Sequence, residues 1–224
     1  MEIFKSGFYY HIYNRGVNSC NLYEESSNYV HFLRLYEKYI LPVAHTYAYC
    51  LMPNHFHFLI RIKEDKEIGY YKNLNADRSN DSVRFQTNPE KNEDLSESEV
   101  PDIVNTQKRP NPSRHFSHLF NAYSKYFNKR YTRTGPLFER LFKRILIENE
   151  SYLKYLVYYI HHNPVKHGFV EDMTEYPWSS YLTVSSPKKT NLKRNQVIEW
   201  FDDLQNLKYF HKKTHDLDRI KDLI

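Results

Sequence analysis

The segment HTYAYCLMPNHFHFLIRI, residues 45–62, constrains this chain more than any other. Pro53-Asn54 is turn chemistry, because Pro presets φ and Asn hydrogen-bonds its own backbone. Runs rich in aromatic and branched residues stand on either side. Two such runs across a short turn predict a β-hairpin, with strands over residues 45–51 and 55–62. Strand side chains alternate between faces, so His55 and His57 point one way and Phe56 and Phe58 the other. The phenylalanines predict a core on one side of the hairpin, and the histidines a polar site on the opposite side.

The rest of the chain supplies partners for that hairpin. FYYHIYN (8–14) reads as a first strand, broken by Arg15-Gly16. Apolar residues at Tyr29, Phe32, Leu33, Tyr36 and Ile40 have helical spacing over residues 24–41. Residues 112–133 read as a helix with Ser113 as its cap, and 137–147 as a strand with irregular edges. Residues 149–162 form a helix ended by Asn163-Pro164, and 194–210 a last amphipathic helix. The order strand, helix, hairpin, helix, strand, helix predicts an α+β sandwich of the ferredoxin-like or RNA-recognition type.

Charge is distributed unevenly. Between residues 86 and 105 stand six acids and one base, with no aromatic, which reads as a polar acidic insertion of about 65–111. Between 108 and 146 stand ten bases and one acid, interleaved with aromatics such as Phe116, Tyr123 and Phe138. Bases track phosphate and aromatics stack on unpaired bases, so nucleic acid is a candidate partner. Two cysteines, Cys20 and Cys50, build no disulfide framework, and a reducing cytoplasm is the expected compartment. No apolar run is long enough for a membrane span, and the first residues lack the apolar stretch of a signal peptide.

Two constellations carry chemistry. His55 and His57, at i and i+2 on one face, can share a divalent metal. In the helix, Leu153, Leu156, Val157 and Ile160 form the core stripe. Tyr159 and Asn163 flank that stripe on one side, and Tyr158 and His162 on the other. Either pair can stand beside a metal mounted on the sheet. A tyrosine with a reference pKa near 10 needs a metal or base to become a nucleophile.

MPNHFHFLI (52–60) resembles the His-hydrophobic-His (HUH) motif of single-tyrosine transposases. YHIYNRG (10–16), residues 135–170 and YPWSSY (176–181) resemble, in the same order, the REP-associated tyrosine transposases of the IS-two-hundred-like group. The resemblance implies a transposase domain over residues 1–182 and leaves 183–224 as a basic helical tail. It implies His55, His57 and Asn163 as ligands of Mg²⁺ or Mn²⁺, and Tyr159 as nucleophile, with Tyr158 the alternative. It implies cleavage and rejoining of single-stranded DNA hairpins through a 5′-phosphotyrosine. Arg15, Arg130, Arg133, Arg140, Lys143, Arg144 and Lys166 are the candidate DNA contacts. The expected protein is a cytoplasmic, DNA-associated bacterial enzyme, monomeric or homodimeric, with no membrane partner.

Three other readings fit the same residues. A non-catalytic module could stack single-stranded nucleic acid on Tyr10, Tyr13, Phe56 and Phe58. A zinc hydrolase could use His55, His57 and Cys50. A replication or mobilisation nickase would share the tyrosine chemistry.

Overall fold

The computed structural model describes residues 3–68 and 109–223. Most of the predicted acidic insertion therefore lies outside the described residues. At its edges, Arg109 Nη1 pairs with Asp65 Oδ2 at 2.7 Å.

Four strands form one sheet: β1 (Tyr9–Arg15), β2 (Ala44–Met52), β3 (His55–Ile62) and β4 (Lys143–Ile147). Their order is β2-β3-β1-β4, and every neighbouring pair is antiparallel. Helix α1 (Ser26–Ile40) connects β1 to β2, and α2 (Pro112–Arg130) precedes β4. This is the predicted ferredoxin-like α+β sandwich. The hairpin stands where the turn chemistry placed it.

The pleat divides the core in two. Tyr10, Ile12, Phe56, Phe58 and Ile60 pack under α1 and α2 with Phe32, Tyr36, Phe116 and Tyr123. Tyr9, Cys50, Met52 and Leu59 face the other way, toward α3 (Leu153–Lys166), whose Leu153, Leu156, Val157 and Ile160 are all fully buried. The same layer takes in α4 (Tyr181–Val184), α5 (Arg194–Glu199) and α6 (Leu204–His211) through Tyr181, Val197 and Leu207. Because Tyr10, Phe56 and Phe58 lie in the α1/α2 core, they offer no stacking surface to a nucleic acid.

Several local predictions are corrected. The cap of α2 is Asn111, whose side chain accepts from Arg114 N at 3.1 Å; Pro112 then takes the first helical position, where no N–H is needed. The last strand begins only at Lys143, because Leu141 adopts φ 60° and breaks the extension. α3 does not stop at Asn163-Pro164 but runs to Lys166 with Pro164 inside it. Pro164 is buried, and packing overrides the usual helix-breaking preference. Gly168, at φ 70°, ends it: its N–H bonds Val165 O at 2.9 Å, and Phe169 N bonds Pro164 O. The last helix is two helices, because Asp202 turns at φ 73° and Asp203 caps α6 by accepting from Asn206 N.

Gly16 positions the site. A Cβ there would lie 2.0 Å from Cys20 O, so only glycine lets the chain fold back on itself after β1. Gly16 N bonds Asn54 O at 2.8 Å, which ties the end of β1 to the hairpin turn.

Candidate active site

The site lies on the α3 face of the sheet, where pairing builds two rows. In one, Lys143, Tyr13, His57 and Cys50 follow each other across four strands; in the next, Arg15, His55 and Met52 do so across three. Tyr159 of α3 stands over the first row. Its ring meets that of His57 edge-on, with centroids 5.4 Å apart and an angle of 80°. Tyr13, Arg15, His55, His57, Lys143, Tyr159, Lys166 and His167 line one pocket, with Glu139 the acid at its rim.

Both histidines of the hairpin are held neutral. Burial lowers the His55 pKa to about 4, helped by His167 and Arg15 and opposed by the Asn163 side chain. Burial drives His57 well below its ordinary value, and His11, His55 and Lys166 add to the drop. Neutral imidazoles are the form that ligates metals. The Tyr159 hydroxyl is pushed up by burial, with Asn163 acting against the rise. The phenol is therefore protonated at neutral pH in the protein alone. Lys166 Nζ lies 5.1 Å from the centroid of the Tyr159 ring.

Asn163 follows Tyr159 by one helical turn and is fully buried. Its Nδ2 donates to Tyr159 O at 2.9 Å, which leaves Oδ1 as the free end of the amide. Among the described residues, that buried oxygen has no hydrogen-bond partner. An orphaned carbonyl oxygen on a side chain that acts on the neutral His55 imidazole fits a divalent cation that takes mixed N and O ligands. Among the described residues, no group of three or more His, Cys, Asp or Glu is placed to hold a metal. Among the described residues Cys50 does not join His55 and His57 in a three-ligand cluster, and its buried Sγ contacts Met52 Sδ at 3.6 Å.

The other predicted residues divide. Arg15, Lys143 and Lys166 are exposed at the pocket. Arg130 pairs with Glu25, and Arg133 donates to Asn128 Oδ1 at 2.9 Å. Arg144 points to the opposite sheet face, where it donates to Ser113 Oγ and lies 4.7 Å from the Phe4 ring centroid. Arg140 is exposed beyond the pocket lining. Tyr158 turns away from the sheet, stacks on His162 with centroids 5.0 Å apart and packs against Phe210 and His215.

His11 is the residue that sequence reasoning missed. Its Nε2 lies 2.9 Å from His57 Nδ1, and it is fully buried. Nothing local marks it, since only the β1–β3 register brings residues 46 positions apart into contact.

No model of a known protein family matches the chain. A curated Haemophilus influenzae protein, provisionally named a REP-associated tyrosine transposase, is 26% identical over 141 residues. The match spans 61% of this chain and 58% of that relative. It bears out the resemblance read from the motifs. A solved structure of a REP-associated tyrosine transposase bound to a REP hairpin aligns with a TM-score of 0.48 and 16% identity, over 82% of this chain and 81% of that one. Among the described residues, no helix is long and apolar enough to cross a membrane.

Proposed function

We propose that this chain is a metal-dependent transposase or endonuclease acting on single-stranded DNA hairpins, with Tyr159 as nucleophile. The observation that carries this reading is that His55, His57 and Tyr159 line one pocket with Arg15, Lys143 and Lys166, while the buried Asn163, one turn along α3 from Tyr159, acts through its side chain on His55. The curated relative's name points to the same chemistry.

His55, His57 and the Asn163 carbonyl would hold Mg²⁺ or Mn²⁺. Such an ion, when bound, polarises a phosphate oxygen as a Lewis acid and templates the substrate. All three ligands are neutral, so the cation's charge is left for the phosphate. Arg15, Lys143 and Lys166 hold the strand on either side by charge. Tyr159 Oη attacks the scissile phosphorus and loses its proton. The bond from phosphorus to the 3′ oxygen breaks, and that oxygen departs as a hydroxyl. A 5′-phosphotyrosine remains and retains the energy of the broken ester, so a 3′-hydroxyl can reverse the step without ATP. Burial keeps Tyr159 protonated in the protein alone, so attack awaits a bound cation or base.

The test uses hairpin oligonucleotides from the flanking DNA, with Mn²⁺ or with EDTA, resolved on denaturing gels. A covalent protein–DNA band that requires metal is expected. It should fall by at least about 10²-fold in Tyr159→Phe, in proportion to the loss of an essential nucleophile, and persist in Tyr158→Phe. Loss only in Tyr158→Phe would sink the assignment of Tyr159. Metal-independent binding with no adduct under any condition would replace the enzyme by a binding protein.

A further inference from the structure

Each of the two hairpin histidines is engaged through Nδ1. His55 Nδ1 lies 2.7 Å from Asn54 Oδ1. A carbonyl oxygen only accepts, so His55 carries its proton on Nδ1 and its Nε2 keeps a lone pair. His57 Nδ1 is bound differently, to His11 Nε2 at 2.9 Å, with the two rings 20° from parallel. His11 is fully buried, so water does not replace it.

An imidazole can accept or donate, so this contact has two arrangements. If His11 Nε2 donates, the neutral His57 carries its proton on Nε2 and has no lone pair for a cation. If His57 Nδ1 donates, Nε2 is free, as it is in His55. Only the second arrangement makes the two histidines equivalent donors. Resting on the metal-site reading above, we infer that His11 is a positioning residue. It accepts the His57 Nδ1–H and so selects the tautomer whose Nε2 is presented to the cation.

Metal-bound histidines are commonly oriented this way by carboxylates or carbonyls through the other ring nitrogen, and removing such a partner costs about 10–100-fold in metal affinity. An imidazole partner does the same task without adding negative charge, which keeps the site attractive to phosphate. The Tyr159 ring also stands edge-on over His11, with centroids 6.2 Å apart, so His11 underlies both the ligand and the nucleophile.

The experiment combines two readouts. In the full chain with ¹⁵N-labelled histidines, NMR reads which His57 nitrogen is protonated with and without Mg²⁺; the His57 signals are assigned by their loss in His57→Gln. Mn²⁺ affinity is then measured by electron paramagnetic resonance in wild type, His11→Gln and His11→Phe. Expected are a His57 Nδ1–H tautomer with Mg²⁺, affinity reduced about 10–100-fold in His11→Phe, and recovery to within a few-fold of wild type in His11→Gln, whose carbonyl still accepts. An Nε2–H tautomer of His57 in wild type with Mg²⁺ overturns the inference without any variant. So does wild-type affinity in a folded His11→Phe, or an equal loss in both variants, which would mark a role of shape alone. Failure of wild type to bind Mn²⁺ at all, with no His57 response to Mg²⁺, would instead overturn the metal site itself and His11 with it.

Discussion

Gly16 shows how one residue fixes the relation between two strands. Its amide is bonded to Asn54 O, and Val17 N to Leu137 O at 2.9 Å, so the corner after β1 is tied on two sides. A methyl group at residue 16 would meet Cys20 O and, at 2.9 Å, Cys20 Sγ. The backbone has to move, and Arg15, paired with His55 across the strands, moves with it. Gly16→Ala is therefore expected to cost about 1–3 kcal/mol, the range for forcing an extra carbon into packed structure. Urea unfolding checks this, and a midpoint equal to wild type would show that the corner relaxes freely. The same change is expected to weaken hairpin binding, because Arg15 is carried by the corner.

At the scale of elements, α3 is held from both sides. Its sheet-facing stripe packs on β2 and β3, and its other side meets α6 through histidines. Tyr49 N donates to Ser180 Oγ at 2.8 Å, and Ser180 Oγ lies 2.7 Å from His161 Nε2. His161 Nδ1 lies 3.0 Å from His211 Nε2, and His211 Nδ1 bonds Leu207 O at 2.9 Å. One tautomer set satisfies every atom: Ser180 donates to His161, His161 to His211, and His211 to the Leu207 carbonyl. A second proton on His211 would set two N–H groups against each other unless His161 moved its own proton to Nε2, against the Ser180 hydroxyl. Burial is the main cause that lowers the His211 pKa to about 4, with His215 and His162 adding to it and the Leu207 bond opposing it. The unfolded chain has an ordinary histidine near 6.5, so it binds more protons between these values. This contribution is present above pH 6.5 and is lost as pH falls through 6.5 toward 4. Its size is on the order of 3 kcal/mol. Melting temperature is expected to fall across that window in wild type and to fall less steeply in His211→Gln. Equal slopes would show that His211 does not govern acid sensitivity.

For the whole molecule, net charge matters less than where the sheet puts it. The basic window of the sequence is split by the fold: Lys143 stands at the pocket, Arg144 on the opposite face, and Arg130 in an ion pair. Arg15 and Lys166, distant from that window in sequence, join Lys143. Salt dependence of DNA binding counts the bases that touch phosphate, at about 0.7–0.9 of the log–log slope for each. Lys143→Ala and Lys166→Ala are each expected to reduce the slope for a hairpin oligonucleotide by roughly that amount. Arg144→Ala should leave it unchanged. Fluorescence anisotropy across a salt series reads both, and a slope loss in Arg144→Ala equal to that of Lys166→Ala would place the DNA on the α1/α2 side.

The sequence by itself determined the order of the four strands and the three long helices, the faces of β3, the core stripe of α3 and the flank shared by Tyr159 and Asn163. These follow from periods of two and 3.6 residues, which near neighbours set through local geometry. Tertiary structure decided what depends on distant partners. The β1–β3 register brought His11 onto His57, burial carried α3 through Pro164, and packing sent Arg144 away from the pocket while bringing Lys166 to it. None of these is a local property: each is the outcome of strands and helices competing for one buried surface, and only the assembled fold resolves that competition.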